Sequence, residues 1–131
     1  MDPIEVFFES PAFGVVGASR REHKYGNKVL RAYQRTGLRA IPVNPRETEI
    51  EGVSCVASVR DLPDEVQSIS VITPPSVTER VVAEAVRKGI RSVWMQPGAE
   101  SERAVETARR AGLNVIADGS CVLVALRYRQ V

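Results

Sequence analysis

The chain has 131 residues, 44% hydrophobic and 26% charged, with 9 Gly, 8 Pro and 2 Cys. A usual domain of ~100–200 residues makes this one domain, residues 1–131, with an ordinary buried core; collagen-like, disordered and disulfide-dense classes are excluded. No apolar run approaches the ~20 residues of a membrane helix, and Met1-Asp2-Pro3-Ile4-Glu5 lacks the basic-then-apolar pattern of a leader. The expectation is a cytoplasmic protein without a membrane partner.

The net charge of +2 conceals an uneven distribution. Residues 20–39 hold seven Lys/Arg against one acid, +6, and residues 40–66 hold two against six, −4. That is too local for a nucleic-acid stripe and suits a few phosphates. Cys55, Cys121 and the single His23 offer no zinc spacing. The small hydrophobic flanks of the cysteines suit buried thiols in a reducing compartment.

In chain order, Asp2-Pro3 predicts a short helix with Asp as cap and Pro at its first position. An apolar strand follows at Phe13–Val16. A helix over about Gly26–Thr36 offers Val29, Leu30 and Tyr33 to the core and Lys28, Arg31 and Arg35 to water. Strands are expected at Ala40–Val43 and Ile69–Ile72. Ser76-Val77-Thr78-Glu79 reads as a capping box opening a helix whose stripe is Val77, Val81, Val82, Ala85 and Val86. A strand at Ile90–Met95, a helix over about Glu102–Ala111 burying Ala104, Val105, Ala108 and Ala111, and a strand at Asn114–Ala117 complete the pattern. Gly37, Gly89 and Gly112, each after a basic helical turn, read as left-handed helix ends. Val122 to Leu126 is apolar enough to cover a sheet edge or meet a second subunit, which leaves room for a homodimer.

Continuous apolar strands alternating with amphipathic helices predict an α/β fold: a Rossmann-like doubly wound sheet of five parallel strands, order 3-2-1-4-5, with helices on both faces. Ligands of such sheets bind outside the strand carboxyl ends. After the first strand, Gly17-Ala18-Ser19-Arg20 and Lys24 offer a turn, backbone N–H groups, a hydroxyl and charge for an anion. The glycines at 14, 17 and 26 do not make Gly-x-Gly-x-x-Gly, and no P-loop follows. After the second strand, Asn44 stands where a NAD site would carry Asp or Glu, with Arg46 beside it. Thr73-Pro74-Pro75 after the third strand offers a flat wall, and Gln96, in Gln96-Pro97-Gly98 after the fourth, an amide at the edge of the same crevice. Trp94 is expected in the core. His23 reads as exposed, and Cys121 in Asp118-Gly119-Ser120-Cys121 lacks an identifiable activating base.

Taken in order, Gly17-Ala18-Ser19, Gly26-Asn27-Lys28-Val29, Ile41-Pro42-Val43-Asn44-Pro45, Ser58 to Pro63, Val71-Ile72-Thr73-Pro74-Pro75, Val93-Trp94-Met95-Gln96-Pro97-Gly98 and Asp118 to Cys121 resemble the small single-domain CoA-binding proteins. These are relatives of the CoA-binding domain of the succinyl-CoA synthetase α subunit and of ADP-forming acyl-CoA ligases. The resemblance implies that CoA lies across the crevice: Gly17, Ala18, Ser19 and Arg20 at the phosphates, Asn44 and Arg46 at the nucleotide end, Thr73, Pro74 and Pro75 beside adenine or pantetheine, Gln96 and Pro97 on the far side. The resulting expectation is a protein that binds CoA or an acyl-CoA with no catalytic machinery of its own and no metal. The other reading is a NAD(H)- or nucleotide-sensing module acting through a protein partner.

Overall fold

A computed structural model describes residues 1–129. Five parallel strands, β1 (Ala12–Val16), β2 (Ala40–Val43), β5 (Val66–Val71), β6 (Ser92–Met95) and β7 (Asn114–Ile116), form one sheet in the order β2-β1-β5-β6-β7. Helices α3 (Pro75–Lys88) and α4 (Glu102–Arg110) are the crossovers β5–β6 and β6–β7, and α2 (Tyr25–Arg35) joins β1 to β2. One core carries Val82, Ala85, Ala104 and Ala108 against Val16, Ile69, Val93 and Met95. A second carries Phe7 of α1 (Pro3–Phe7), Leu30 and Tyr33 of α2, and Leu126 of α5 (Val122–Arg127) against Phe13, Val15 and Trp94. The doubly wound α/β class is as expected, and Trp94 is fully buried, its indole N–H donating to Ser120 O at 3.0 Å.

The strand order corrects the expected 3-2-1-4-5. The third long strand, β5, pairs with β1 and sits at the sheet centre, so β2 is an edge. Among the described residues, outside β2 there is only a bridge from Val43 to Val56, with Val56 N donating to Pro42 O and Asn44 N to Val56 O. Pro42 explains this. Residues 42 and 44 turn their backbone polar groups outward, and a residue lacking an N–H cannot sustain a full ladder there, so it belongs on an edge. The chain returns through a hairpin, β3 (Glu49–Ile50) and β4 (Val53–Ser54), and a 3₁₀ turn at Val59–Asp61.

Several local signals act as read. Asp2 caps α1 by accepting from Ile4 N at 2.8 Å, with Pro3 at the first turn. α3 ends at Gly89, whose φ of 89° lies where a side chain is strained. The capping box does not form. Pro75 takes the first position of α3 and Pro74 the cap, which carries Ser76 into the helix. Proline suits that first position because its missing N–H would have had no helical partner. Glu79 instead accepts from the hydroxyl of Ser101, the N-cap of α4, whose oxygen accepts from Ala104 N at 3.3 Å. Ser101 thus ties α4 to α3 while capping α4. Ser101→Ala is expected to lower unfolding stability by about 1 kcal/mol, measured by chemical denaturation. At the end of α4, Ala111 is the exposed cap residue rather than part of the buried stripe.

Candidate functional site

The connections leave β1 toward β2 on one side and continue from β5 toward β7 on the other. The crevice between β1 and β5 is therefore the switch point where such sheets bind ligands. The chain leaves β1 at Gly17 under tight constraint. Its φ is 93°, and a Cβ placed there would lie 2.1 Å from Ile72 O. Gly26, at the start of α2, would place a Cβ 2.2 Å from Gly17 O. Two glycines nine residues apart in sequence (17 and 26) thus let strand end and helix start touch through their backbones. That close approach serves the purpose of a regular glycine motif without its spacing.

Asn27, fully buried beside Gly26, holds the loop from within. Its Nδ2 donates to Ser19 O at 2.8 Å and to Glu51 Oε2 at 3.1 Å, and its Oδ1 accepts from Arg31 Nε at 2.7 Å. Arg31 also donates to Glu22 O at 3.0 Å. Glu51 has φ 50° in the two-residue turn between β3 and β4, and Gln34 Nε2 donates to its carbonyl at 3.0 Å. α2 therefore steadies both the loop and a strained hairpin turn. Asn27 appears in the sequence as part of Gly26-Asn27-Lys28-Val29, but nothing there separates an exposed amide from a buried one.

Asn44 closes the loop from the other side. Its Nδ2 donates to Ala18 O at 2.9 Å, and its Oδ1 accepts from Arg46 N at 2.7 Å. Its amide ties the two loops together, and the Arg46 side chain is exposed and outside the lining of the crevice cavity. Arg20 is also exposed and lies 3.6 Å from Glu47, and Ser19 Oγ accepts from Arg21 N at 3.1 Å. The acidic segment thus folds against the basic one, with Arg39 and Glu65 paired at 3.1 Å, so the local charge is lower than +6 suggests. Lys24 is the exposed cap residue of α2 and makes no side-chain capping bond.

A cavity of about 250 Å³ opens at the ends of β1, β2 and β5. Of the residues expected at the site, it brings together Gly17, Asn44 and Thr73. Its apolar wall comes from Val43 and from Val77 and Val81 of α3, with Arg80 at the rim. Val77 and Val81 belong to the stripe read as core; both are half-buried, while Val82 and Ala85 are fully covered. Pro45 lines the cavity, whereas Pro74 and Pro75 stand exposed at the start of α3. Thr73 is anchored through its hydroxyl, 2.8 Å from that of buried Thr78.

Gln96 is buried and committed to the fold. Its Oε1 accepts from Tyr25 OH and from Val122 N, both at 2.9 Å, joining β6 to the starts of α2 and α5. Pro97 is exposed next to it. Tyr25 OH also meets Cys121 Sγ. Burial first, then the Cys121 contact, push the Tyr25 phenol above its ordinary range, so it remains a donor at neutral pH. Cys55 and Cys121 are both free thiols and partly rather than fully buried. Burial, then Glu47 and Glu49, push the Cys55 thiol up. His23 is exposed, as read. Among the described residues no helix is long and apolar enough to cross a membrane.

Comparison with known proteins agrees with this geometry. Residues 12–127 match the model of a family described as a CoA binding domain. The chain is 31% identical over 126 residues to acetate–CoA ligase [ADP-forming] II subunit alpha of Pyrococcus furiosus, covering 86% of this chain and 27% of the ligase subunit. It thus spans about a quarter of that relative. The YneT protein of Bacillus subtilis is 30% identical over 121 residues, covering 92% of this chain and 89% of its own. Among solved structures, a conserved hypothetical protein from Pyrococcus furiosus superposes with a TM-score of 0.84 at 41% identity, over 87% of this chain and 97% of that one. A Ca. Korarchaeum cryptofilum dinucleotide forming acetyl-coenzyme A synthetase, in complex with phosphate and ADP, gives 0.78 at 27% identity, over 90% of this chain and 27% of that one. The match over residues 12–127, on a Rossmann-like sheet with a glycine-hinged crevice at its switch point, places this chain in the CoA binding domain family.

Proposed function

We propose that the chain binds CoA or an acyl-CoA and carries out no chemistry on it. The observation that supports this best is the division of the crevice: an apolar cavity of about 250 Å³ beside a tightly folded loop carrying Ser19, Arg20 and Lys24. CoA divides in the same way, into a flat base and a set of phosphates. In this reading the adenine lies against Val43, Val77 and Val81, near Arg80. The phosphates lie along Gly17, Ala18 and Ser19 at the positive end of the α2 dipole. Arg20 and Lys24 contribute screened surface charge, and Arg46 meets the 3′-phosphate with its two-pronged guanidinium. The pantetheine arm then crosses Thr73 toward Pro97. Cys121, the thiol that could serve as a nucleophile, does not line this cavity, and the side chain it meets is the Tyr25 hydroxyl, itself a hydrogen-bond donor to Gln96.

Calorimetric titration with CoA, dephospho-CoA and NAD tests the proposal. Saturable binding of CoA is expected, weaker binding of dephospho-CoA, and no saturation with NAD over the same range. Arg46→Ala keeps the backbone bond to Asn44 and is expected to weaken CoA about tenfold while leaving dephospho-CoA nearly unchanged, as for a charge-assisted bond worth about 1.5 kcal/mol. Saturation by NAD without heat from CoA would point to the nucleotide-sensing reading instead.

A further inference from the structure

A second concave site lies away from the crevice, between α2 and α5. It is a groove of about 290 Å³ lined by Lys28, Arg31 and Arg35 of α2 and Arg127 of α5, and among the described residues no carboxylate lines it. Among the described residues the ion pairs engage Arg20, Arg39, Lys88 and Arg110, and none of these four. Four like charges converging on one concavity repel one another, and the cost falls when an anion occupies it. The floor is formed by Ala32, 4% exposed, Leu126, 1% exposed, and half-buried Leu123, so the accessible lining is mostly the four cationic side chains. Lys28 and Arg35 lie seven residues apart on one helix, about 10 Å along its axis. A single phosphate is too short to satisfy both ends, whereas linked phosphates follow the row.

We infer that this groove is a binding site for an oligophosphate, two or more linked phosphate groups, and that its occupancy weakens binding at the crevice. The coupling has a visible route. Arg31, which lines the groove, donates to Asn27 Oδ1 and to Glu22 O, and Asn27 in turn donates to Ser19 O. An anion drawing the Arg31 guanidinium outward removes two bonds that steady the first loop. It also cancels positive charge near that loop, which acts in the same direction on a phosphate-bearing ligand. The anion site stands on the groove alone; the coupling rests on the CoA reading.

The test begins without CoA. Calorimetry at 0.15 M salt is run with inorganic tripolyphosphate and with ATP, on the native chain and on Arg35→Gln/Arg127→Gln. Both positions are exposed, and a thermal melt verifies that the variant folds. Saturable tripolyphosphate binding to the native chain, weakened at least tenfold in the double variant, is the expected result. A larger variant effect for ATP than for tripolyphosphate identifies a nucleotide-borne chain, and an equal effect the inorganic one. Tripolyphosphate binding that is absent, or unchanged in the double variant, overturns the site. CoA is then titrated with and without saturating tripolyphosphate. A severalfold loss of CoA affinity is expected in the native chain and a smaller one in both the double variant and Arg31→Lys, which keeps the charge but loses the forked contact. An equal loss in all three identifies direct competition at the crevice and overturns the coupling. Failure of CoA to bind at all overturns the crevice reading and leaves the tripolyphosphate result standing.

Discussion

Gly17→Ala is expected to abolish CoA binding and to destabilise the fold by about 3 kcal/mol, a fall of about 10 °C in Tm. Two independent costs add. At φ 93° any side chain is strained, and the added Cβ would lie 2.1 Å from Ile72 O and 2.8 Å from its carbonyl carbon. Both are backbone atoms of the strand end opposite, so no rotamer change relieves the clash. The chain must lift β1's exit away from β5, or rotate Gly17 and lose its N–H bond to Val43 O. Either movement also shifts Gly17 O off the start of α2, where Gly26 admits it. Thermal melts with CoA titration separate the two effects. An alanine variant with native Tm and native affinity would show that the loop has another way to close.

Asn27→Asp is expected to cost about 2–3 kcal/mol and at least tenfold in CoA affinity with almost no change in side-chain shape. The substitution replaces an amide that donates to Ser19 O and Glu51 Oε2 with a carboxylate oxygen. Acceptors then face acceptors inside a fully buried site, one of them charged. Arg31 Nε, at 2.7 Å from Oδ1, offsets part of the repulsion, which keeps the loss below that of an unpaired buried charge. Because volume is conserved, a loss in affinity is traceable to the hydrogen bonds that hold Ser19 rather than to packing. Chemical denaturation and CoA titration measure the two quantities. If Asn27→Asp binds CoA as the native chain does, Ser19 is not held in place by α2.

The regular elements are legible because each is punctuated chemically. Asp2-Pro3 starts a helix, Gly89 ends one, and the five-strand sheet follows from apolar runs too continuous to face water. Elements whose signals compete are not legible. Ser76 and Glu79 have the spacing of a capping box, but Pro74-Pro75 immediately before them sets the helix start earlier. The hairpin escapes notice because each strand has two residues and its turn is Glu51-Gly52 in place of Asn-Gly. The strand order was readable in principle, since Pro42 marks β2 as an edge.

The candidate site divides along the same line. Gly17, Asn44 and Thr73 are found from sequence because strand carboxyl ends are known places for ligands, and the structure brings them together. Val77 and Val81 were not expected at the cavity because a helical stripe spaced for the core is indistinguishable from one that lines a cavity. Gln96 shows the converse: an amide after a strand reads equally as a ligand contact or as a fold contact, and here Tyr25 and Val122 occupy it. Asn27 and Arg31 were invisible as a pair, since helical spacing of 27 and 31 says nothing of what Asn27 reaches on its other side.

The most direct test of CoA binding at the switch point is an amide NMR titration of the native chain with CoA. The largest shifts are expected at Gly17, Ala18 and Ser19, at Asn44 and Arg46, and at Thr73, Val77 and Val81, with α4 unmoved. Shifts confined to α4, or no shifts at a CoA concentration that saturates calorimetry, would contradict the account.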